Sequence, residues 1–371
     1  MRSVIALSIN SAWNIVNFRA GLIRRLQEAG YDVVAIAPAD DAVPRLTALG
    51  VRHIRIQMDA MGSSPFHDAR LLMEYWRVLR RLRPVAFLGW TVKPNIYGSL
   101  AAQALGIPVI NNVSGLGTAF IRRTPLTAIV SQLYRLAFRR SATVFFQNDE
   151  DRQLFLTERL VAKDRTALLP GSGIDLTRFA PKPDERGGEG PFAFLLVARL
   201  LRDKGIIEYV EAARMVRAAG KHAEFRLLGF LDVANRSAVS RAEVQMWQAE
   251  GVIDYLGHAD DVRPFLHAAE CVVLPSYREG MPRTLLEASA LARPLIATDV
   301  PGCREIARAG ENAILARAAD ARSLADAMLT MLNLAPERRR EMGLRGRRIA
   351  EEEFDERIVA DRYLDALRRA L

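Results

Sequence analysis

Two glutamates, Glu279 and Glu287, lie eight positions apart in the segment Ser276-Tyr-Arg-Glu-Gly-Met-Pro-Arg-Thr-Leu-Leu-Glu287. An apolar run at 269–275 precedes them and is typical of a short buried strand. Pro282 suits the first turn of a helix, where an N–H has no helical partner. Such a helix start attracts phosphate through its unpaired N–H groups and its dipole. Carboxylates on either side of it can hold hydroxyl groups, so the segment predicts a nucleotide-sugar site.

A guanidinium and an ammonium follow the predicted strand at 192–198 of the same half of the chain. They are Arg199 and Lys204, and Gly205 comes directly before the next predicted helix. Two cations at the end of a strand suit a diphosphate leaving group, because they neutralise charge that grows as the sugar–phosphate bond breaks. The spacing by itself is equally typical of surface ion pairs.

A third junction contains Gly302, in Leu295-Ile-Ala-Thr-Asp-Val-Pro-Gly-Cys-Arg-Glu305. The pattern predicts a strand, a turn and a helix at 303–309. Gly302 would let a backbone N–H approach phosphates closely, although a plain Pro-Gly turn explains the motif too. We expect the three junctions to meet at one edge of a sheet.

The elements that must position these residues repeat twice along the chain. Short apolar strands alternate with helical patterns up to a Gly- and Pro-rich linker at 169–190, and the alternation then restarts. This order predicts two doubly wound α/β domains, at 1–175 and 176–354, with a final helix at about 355–371 that packs back onto the first. Ligands bind at the carboxyl ends of the strands in such sheets, so we expect a central cleft that both domains face. The predicted strands are 3–9, 32–37, 53–56, 85–88, 109–111, 143–146, 166–169, 192–198, 224–228, 252–256, 271–275, 295–298 and 313–315.

Charge is distributed unevenly over the 371 residues. The whole net charge of +9 lies in the first 175 residues, and no acidic residue occurs between Tyr75 and Asn148. Such a stretch favours anionic partners such as lipid headgroups or diphosphates, although solvated helix faces are the plain alternative. The ten basic residues of the stretch are Arg77, Arg80, Arg81, Arg83, Lys93, Arg122, Arg123, Arg135, Arg139 and Arg140.

Several classes of protein are disfavoured by what the sequence lacks. Its two cysteines and five histidines show no metal-binding spacing, and unpaired cysteines favour the cytoplasm. No apolar run approaches the roughly 20 residues of a membrane-spanning helix. No Gly-x-Gly-x-x-Gly follows the first strand, which argues against a dinucleotide oxidoreductase, and no motif supports a nucleic-acid partner.

The donor-side motifs together resemble glycosyltransferase family 4. The matching residues are Arg199…Lys204-Gly205, Glu279-Gly-x-Pro…Leu-Leu-Glu287-Ala and Pro294-Leu-Ile-Ala-Thr-Asp-x-x-Gly302…Glu305. The resemblance implies the two-domain GT-B fold and a retaining, metal-independent transferase that needs no cofactor. It also implies that Glu279 contacts the donor sugar, Glu287 the ribose, and Arg199 and Lys204 the diphosphate. Gly205, Gly280, Met281, Pro282 and Gly302 would complete the donor site.

The first half is similar to bacterial enzymes that extend a sugar on undecaprenyl diphosphate. Its motifs are Trp90-Thr-Val-Lys-Pro-Asn-Ile-Tyr-Gly98 and Ile110-Asn-Asn-Val-Ser-Gly-Leu-Gly-Thr-Ala-Phe120. This resemblance implies transfer of a hexose or N-acetylhexosamine from a UDP-linked donor at the inner face of the cytoplasmic membrane, for exopolysaccharide, capsule or O-antigen. Many relatives carry a histidine near the acceptor and this chain has none there. The candidate acceptor-side residues are therefore Thr91, Lys93, Asn112 and Arg19.

Three questions stay open at the level of sequence. A UDP-sugar 2-epimerase of the same fold and a transferase with a soluble acceptor are the alternatives to a lipid-linked acceptor. The helix at 68–82 carries an apolar stripe beside its arginines, so this stripe either docks on a membrane or faces the core. The helix at 125–140 is an equal candidate for docking.

Overall fold

The computed structural model describes residues 2–59, 64–115, 125–182, 190–232, 235 and 237–371, except for the side chains of 125 and 126. Outside it lie residues 116–120 of the second motif, Arg122 and Arg123 of the basic stretch, and 183–189 of the linker. The chain forms two compact units. The first combines Met1–Gly173 with Glu356–Leu371, and the second is Ile174–Asp355.

In its described residues the first unit contains a seven-stranded parallel sheet. The strands are β1 (Val4–Ser8), β2 (Asp32–Ala37), β3 (Arg52–Arg55), β4 (Ala86–Trp90), β5 (Val109–Val113), β6 (Thr143–Phe146) and β7 (Thr166–Leu168). Their order is β3-β2-β1-β4-β5-β6-β7, and neighbours pair in parallel, as in Ile5↔Ala86. The central strands are buried throughout, as expected for a parallel sheet covered on both faces.

Helices cover both faces of this sheet. They are α1 (Ala12–Phe18), α2 (Ala20–Glu28), α3 (Val43–Ala48), α4 (Pro65–Leu82), α5 (Ser99–Ala104), α6 (Pro125–Phe138), α7 (Asp149–Thr157) and α14 (Glu356–Ala370). Side chains of α1, α2, α3 and α14 share one core, and those of α4, α5, α6 and α7 fill the cores of the opposite face. A π-helical turn (Pro94–Gly98) leads into α5. The last helix, α14, packs against α2.

The described residues of the second unit contain a six-stranded parallel sheet of order β10-β9-β8-β11-β12-β13. Its strands are β8 (Phe192–Val197), β9 (Ala223–Leu228), β10 (Asp254–Tyr255), β11 (Cys271–Leu274), β12 (Leu295–Thr298) and β13 (Ala313–Ala316). Its helices are α8 (Ile206–Ala218), α9 (Arg241–Ala249), α10 (Arg263–His267), α11 (Arg283–Ala290), α12 (Ala321–Asn333) and α13 (Pro336–Glu353). The prediction of two doubly wound α/β domains is confirmed.

The helix predicted at 303–309 is absent, and two observed helices have marked boundaries. Residues 303–306 form turns, and the side chain of Asn312 binds the carbonyl of Ile306 and the N–H of Arg308, two groups that a continuing helix would use itself. In the first unit, the helical segment after β1 is interrupted at Arg19, between α1 and α2. In the second unit, α9 begins at Arg241, where Ser240 and Glu243 form a capping box.

The apolar stripe of α4 faces the core. Leu71, Tyr75 and Leu79 are buried, and the other apolar residues of the stripe pack partly buried against the same core. This settles the choice left open by the sequence: the stripe itself is not a docking surface. The outward face of α4 is formed by residues other than those of this stripe.

Candidate active site

Lys204 and Glu279 meet at the carboxyl edge of the second sheet. Lys204 closes a 3₁₀ turn (Arg202–Lys204) after β8, and Glu279 lies in the loop between β11 and α11. The Nζ of Lys204 donates to Oε1 of Glu279 over 2.5 Å. Their side chains are only 18% and 13% exposed. The cation predicted for the diphosphate and the carboxylate predicted for the sugar are therefore direct neighbours.

Gly205 brings the two loops together. It has a φ of +72°, and a Cβ at this position would lie 2.1 Å from the carbonyl oxygen of Pro275. Only glycine tolerates both this backbone conformation and this approach. The loop after β8 is thus pressed against the end of β11, and Lys204 can reach Glu279.

Gly302 joins the third junction to the same place. Its φ is +84°, and a Cβ there would lie 2.6 Å from the carbonyl oxygens of Glu279 and Gly280. The N–H of Glu279 donates to the carbonyl of Pro301 over 3.3 Å. The expected convergence of three junctions is confirmed. The close approach that Gly302 permits is to the Glu279 loop; an approach to phosphate stays a prediction.

The N-terminus of α11 lies beside the end of β8. The hydroxyl of Thr284 donates to the carbonyl of Val197 over 2.9 Å. Pro282 is the residue before the helix, one position earlier than predicted, and its side chain makes no capping hydrogen bond. Met281 packs half-buried against the adjacent core. An uncapped helix start at the carboxyl edge of a sheet is suited to bind an anion.

Glu287 is held within α11 by an arginine that the sequence analysis did not single out. The Nε of Arg283 donates to Oε1 of Glu287 over 3.0 Å, an i,i+4 pair. Burial raises the pKa of the Glu287 carboxyl above its ordinary value, and Arg283 opposes this rise. A buried carboxylate with one cationic partner can accept further hydrogen bonds, as the hydroxyls of a ribose would provide.

Within the described part of the chain, Arg199 forms no ion pair with Glu279. Its side chain is exposed, and among the described residues it has no ion-pair partner. It lies two residues after the end of β8, and the next residue, Leu200, donates its N–H to the carbonyl of Phe230. Arg199 is therefore free to turn toward a ligand, and its contact with a diphosphate stays a prediction.

Two acceptor-side candidates lie at the end of β4. Thr91 has a φ of +60° and donates its hydroxyl to the carbonyl of Trp90 over 2.6 Å. A left-handed φ is unfavourable for a β-branched residue. The Nζ of Lys93 donates to Oδ1 of Asp68 over 2.7 Å, and the hydroxyl of Tyr97 donates to the other oxygen.

The other two candidates, Asn112 and Arg19, lie near Tyr363 of α14. The Nδ2 of buried Asn112 donates to the Tyr363 hydroxyl over 2.9 Å. The Arg19 guanidinium lies 5.1 Å from the ring centroid of Trp90, which in turn packs against the ring of Tyr363. Three of the four candidates thus belong to two clusters, Lys93 with Asp68 and Tyr97, and Asn112 and Arg19 with Tyr363 and Trp90. Thr91 bonds the backbone of Trp90. The roles of all four stay predictions.

Both units match family models. Residues 15–171 match the glycosyl transferase 4-like domain, and residues 191–334 match glycosyl transferases group 1. This chain belongs to the glycosyltransferases. The resemblance to family 4 is thereby confirmed.

Relatives of this glycosyltransferase include enzymes of lipid-linked saccharides. It is 26% identical over 375 residues to an N,N'-diacetylbacillosaminyl-diphospho-undecaprenol alpha-1,3-N-acetylgalactosaminyltransferase of Campylobacter jejuni, and 96% of each chain is covered. It is 24% identical over 246 residues to a UDP-Gal:alpha-D-GlcNAc-diphosphoundecaprenol alpha-1,3-galactosyltransferase of Escherichia coli, with 63% of each chain covered.

Solved structures share its fold. Sucrose-phosphate synthase of Thermosynechococcus elongatus has a TM-score of 0.81 at 20% identity, over 99% of each chain. The Anabaena protein HepE in complex with UDP-glucose has a TM-score of 0.81 at 16% identity, also over 99% of each chain. These likenesses confirm the GT-B fold of the glycosyltransferase.

Within its described residues, the glycosyltransferase has no helix with the length and apolar character needed to cross a membrane. No group of three or more His, Cys, Asp or Glu side chains in the same residues is arranged to hold a metal ion. Independence from a metal stays a prediction.

Proposed function

We propose that this glycosyltransferase moves a hexose or N-acetylhexosamine from a UDP-linked donor to a saccharide on undecaprenyl diphosphate, with retention of anomeric configuration. The observation that carries the proposal is the Lys204–Glu279 pair at the meeting point of three strand ends. The names of the Campylobacter and Escherichia relatives, with their diphospho-undecaprenol acceptors, support the acceptor class. The donor named for the second relative, UDP-Gal, supports UDP.

Each donor-side residue has a defined task in this reaction. Lys204 and Arg199 neutralise the diphosphate as it leaves, and the uncapped start of α11 adds its N–H groups. Glu279 orients the sugar through its hydroxyls, and Glu287 accepts hydrogen bonds from the ribose. Holding the sugar and the leaving group in a fixed geometry lowers the entropic part of the barrier. No metal takes part.

The transfer exchanges one bond at the anomeric carbon. The bond from this carbon to the β-phosphate oxygen breaks as a bond to the acceptor hydroxyl oxygen forms on the same face. The departing phosphate oxygen accepts the hydroxyl proton, so no carboxylate acts as nucleophile. This step follows from the resemblance to retaining members of family 4.

The place of the reaction is the inner face of the cytoplasmic membrane, in the synthesis of exopolysaccharide, capsule or O-antigen. The concentration of positive charge in the first unit supports a peripheral association with that anionic surface.

The donor-side assignment is tested with Lys204→Ala and Glu279→Ala. We expect each to lower kcat about 10²- to 10³-fold, Lys204→Ala because one donor to the developing anion is lost and Glu279→Ala because the sugar loses its fixed orientation. Lys221→Ala is the matched control, because Lys221 is exposed in the same unit and its ammonium donates to Oδ1 of Asn333. Turnover near that of the unaltered enzyme in both active-site variants would overturn the assignment.

The donor, the acceptor and the stereochemistry are tested together. A panel of labelled UDP- and GDP-sugars is incubated with and without an undecaprenyl-diphosphate saccharide, and the product linkage is read by NMR. We expect transfer from a UDP-sugar, in the presence of the lipid acceptor, with an α-linkage from an α-linked donor. Release of a 2-epimer without acceptor would favour the epimerase, and an inverted linkage would exclude retention.

A further inference from the structure

Helices α4 and α6 lie in one layer on the same face of the first sheet. Both pack against α5 and against the π-helical turn at Pro94–Gly98. Their inward side chains fill the two cores of this face. Their outward side chains therefore point away from the same side of the unit, which we call the α4–α6 face.

The outward side of α6 combines aliphatic and basic residues. Ile129 and Leu136, seven positions apart, are 58% and 54% exposed. Two turns of helix separate them, so they lie on one stripe. Arg139 and Arg140 are exposed at the end of the same stripe. Buried Tyr134, Ala137 and Phe138 occupy the opposite side.

The outward side of α4 has the same character. Phe66 is 78% and Met73 48% exposed, again seven positions apart. Exposed arginines surround them along the helix. These arginines are Arg70, Arg77, Arg80 and Arg81.

The acidic residues of these helices accept hydrogen bonds from groups other than the outward arginines. Asp68 accepts from Lys93 and Tyr97, and Glu74 accepts from the N–H of Gln57. α5 and α6 contain no acidic residue. The arginines of the α4–α6 face consequently have no neutralising carboxylate within their own helices.

A cavity of about 770 Å³ opens beside the last turn of α6. Arg139, Arg159 and Lys163 line it, and within the described part of the chain their side chains have no ion-pair partner. Arg135 and Arg165 also line it, and both donate to backbone carbonyls. Three cations around an open cavity suit the phosphate of a headgroup.

We propose that the α4–α6 face is a docking surface for a bilayer that contains anionic phospholipids. Ile129, Leu136, Phe66 and Met73 enter the boundary between headgroups and acyl chains, and the arginines bind lipid phosphates. Three of these four exposed apolar side chains are non-aromatic, which favours a membrane over a nucleic acid, since single-stranded nucleic acid is bound through stacking on several aromatic rings. This inference rests on the proposed function, in which the acceptor is linked to a lipid and the reaction takes place at the membrane.

Charge reversal tests the electrostatic part. Arg77→Glu/Arg139→Glu is compared with Arg45→Glu/Arg369→Glu, whose residues are exposed on α3 and α14 of the opposite layer. Sedimentation with vesicles of phosphatidylcholine and phosphatidylglycerol measures binding. We expect the first variant to bind roughly 30-fold or more weakly, from about 1 kcal/mol per lost cation, and the control to bind within about twofold of the unaltered enzyme.

The aliphatic part is tested with Ile129→Ser/Leu136→Ser. Both side chains are more than half exposed, so the fold should persist while vesicle binding weakens. Equal loss in the charge-reversed variant and its control, or equal binding to vesicles with and without phosphatidylglycerol, would overturn the proposal. Preference for single-stranded DNA over anionic vesicles would overturn it too.

A further assay distinguishes a loss of membrane docking from a loss of catalysis. A saccharide on a short, water-soluble prenyl diphosphate tests turnover without a bilayer. We expect the Arg77→Glu/Arg139→Glu variant to turn it over at the unaltered rate, and a loss there would assign these arginines to the reaction or the fold instead. Vesicle binding without turnover of any lipid-linked acceptor would reject the proposed function and leave the docking surface standing.

Discussion

Lys204 and Glu279 neutralise each other at a place where a ligand would need both. Their side chains are mostly withdrawn from water, and a part-buried charge is costly unless it is paired. A diphosphate would compete with Glu279 for the ammonium of Lys204. The Glu279 oxygens would then accept hydrogen bonds from sugar hydroxyls. The diphosphate would thus replace Glu279 as the partner of Lys204, and the sugar hydroxyls would replace Lys204 as the partners of Glu279.

Glu287 gives a pH prediction. Burial raises its pKa above the ordinary 4.5 in the folded chain, so between the two pKa values the folded state binds more protons than the unfolded state. Stability must therefore fall as pH rises through this window. Relative to Glu287→Gln, which does not titrate there, we expect the free energy of unfolding of the unaltered enzyme to decrease from about pH 4 upward.

Urea denaturation of both proteins over a pH series measures this difference. The other titrating groups are common to both proteins and cancel. A difference that stays constant with pH, or that increases with it, would contradict the raised pKa.

The positions of strands were easier to predict than the contacts between loops. Strands such as β8 and β11 are short apolar runs between polar segments, and their burial on both faces leaves a clear pattern. The helix predicted at 303–309 was wrong, because the side chain of Asn312 binds backbone groups of Ile306 and Arg308 and outweighs local propensity. Arg283 was missed as the partner of Glu287, since an i,i+4 pair on a helix is too common to mark a site.

Contacts between residues that are far apart in the chain could not be predicted from a single sequence. Tyr363 lies 251 positions from its partner Asn112, and Asp68 lies 25 positions from Lys93. The donor-side residues were predicted because their motifs are local. The two acceptor-side clusters depend on side chains from distant helices, and the sequence pointed to only one member of each pair.

At the scale of strands, helices and loops, the turn at Gly302 gives a testable prediction. Gly302→Ala and Gly310→Ala both place alanine at a left-handed φ, +84° and +76° respectively, which costs about 1–2 kcal/mol. A Cβ at Gly310 meets nothing within 4 Å, whereas one at Gly302 meets two carbonyl oxygens at 2.6 Å. We expect Gly302→Ala to destabilise the enzyme by about 1–3 kcal/mol more than its control.

The free energy of unfolding and the KM for the donor are measured for both alanine variants. The donor KM should rise in Gly302→Ala, because the Glu279 loop must move to accept the methyl group, and should stay unchanged in Gly310→Ala. Equal effects of the two substitutions would show that the contact with the Glu279 loop has no importance.

At the scale of the molecule, the second unit is one continuous insertion into the first. The first unit ends at Gly173 and resumes at Glu356. The N–H of Ile174 donates to the carbonyl of Phe354 over 2.7 Å, and Ile174 also pairs with Asp355. The chain therefore enters and leaves the second unit at neighbouring points, the arrangement in which an inserted domain folds with least constraint.

The second unit should therefore fold and bind nucleotide without the first. We expect a fragment of residues 174–355 to unfold cooperatively, since it contains its own sheet and two hydrophobic cores. At a UDP concentration about 100 times Kd, binding stabilises the fragment by about 2.7 kcal/mol, which corresponds to an increase in Tm of roughly 5–10 °C. The same fragment with Arg199→Ala and Lys204→Ala is the control and should shift much less. An unfolded fragment, or equal shifts in both, would show that nucleotide binding needs residues outside the second unit.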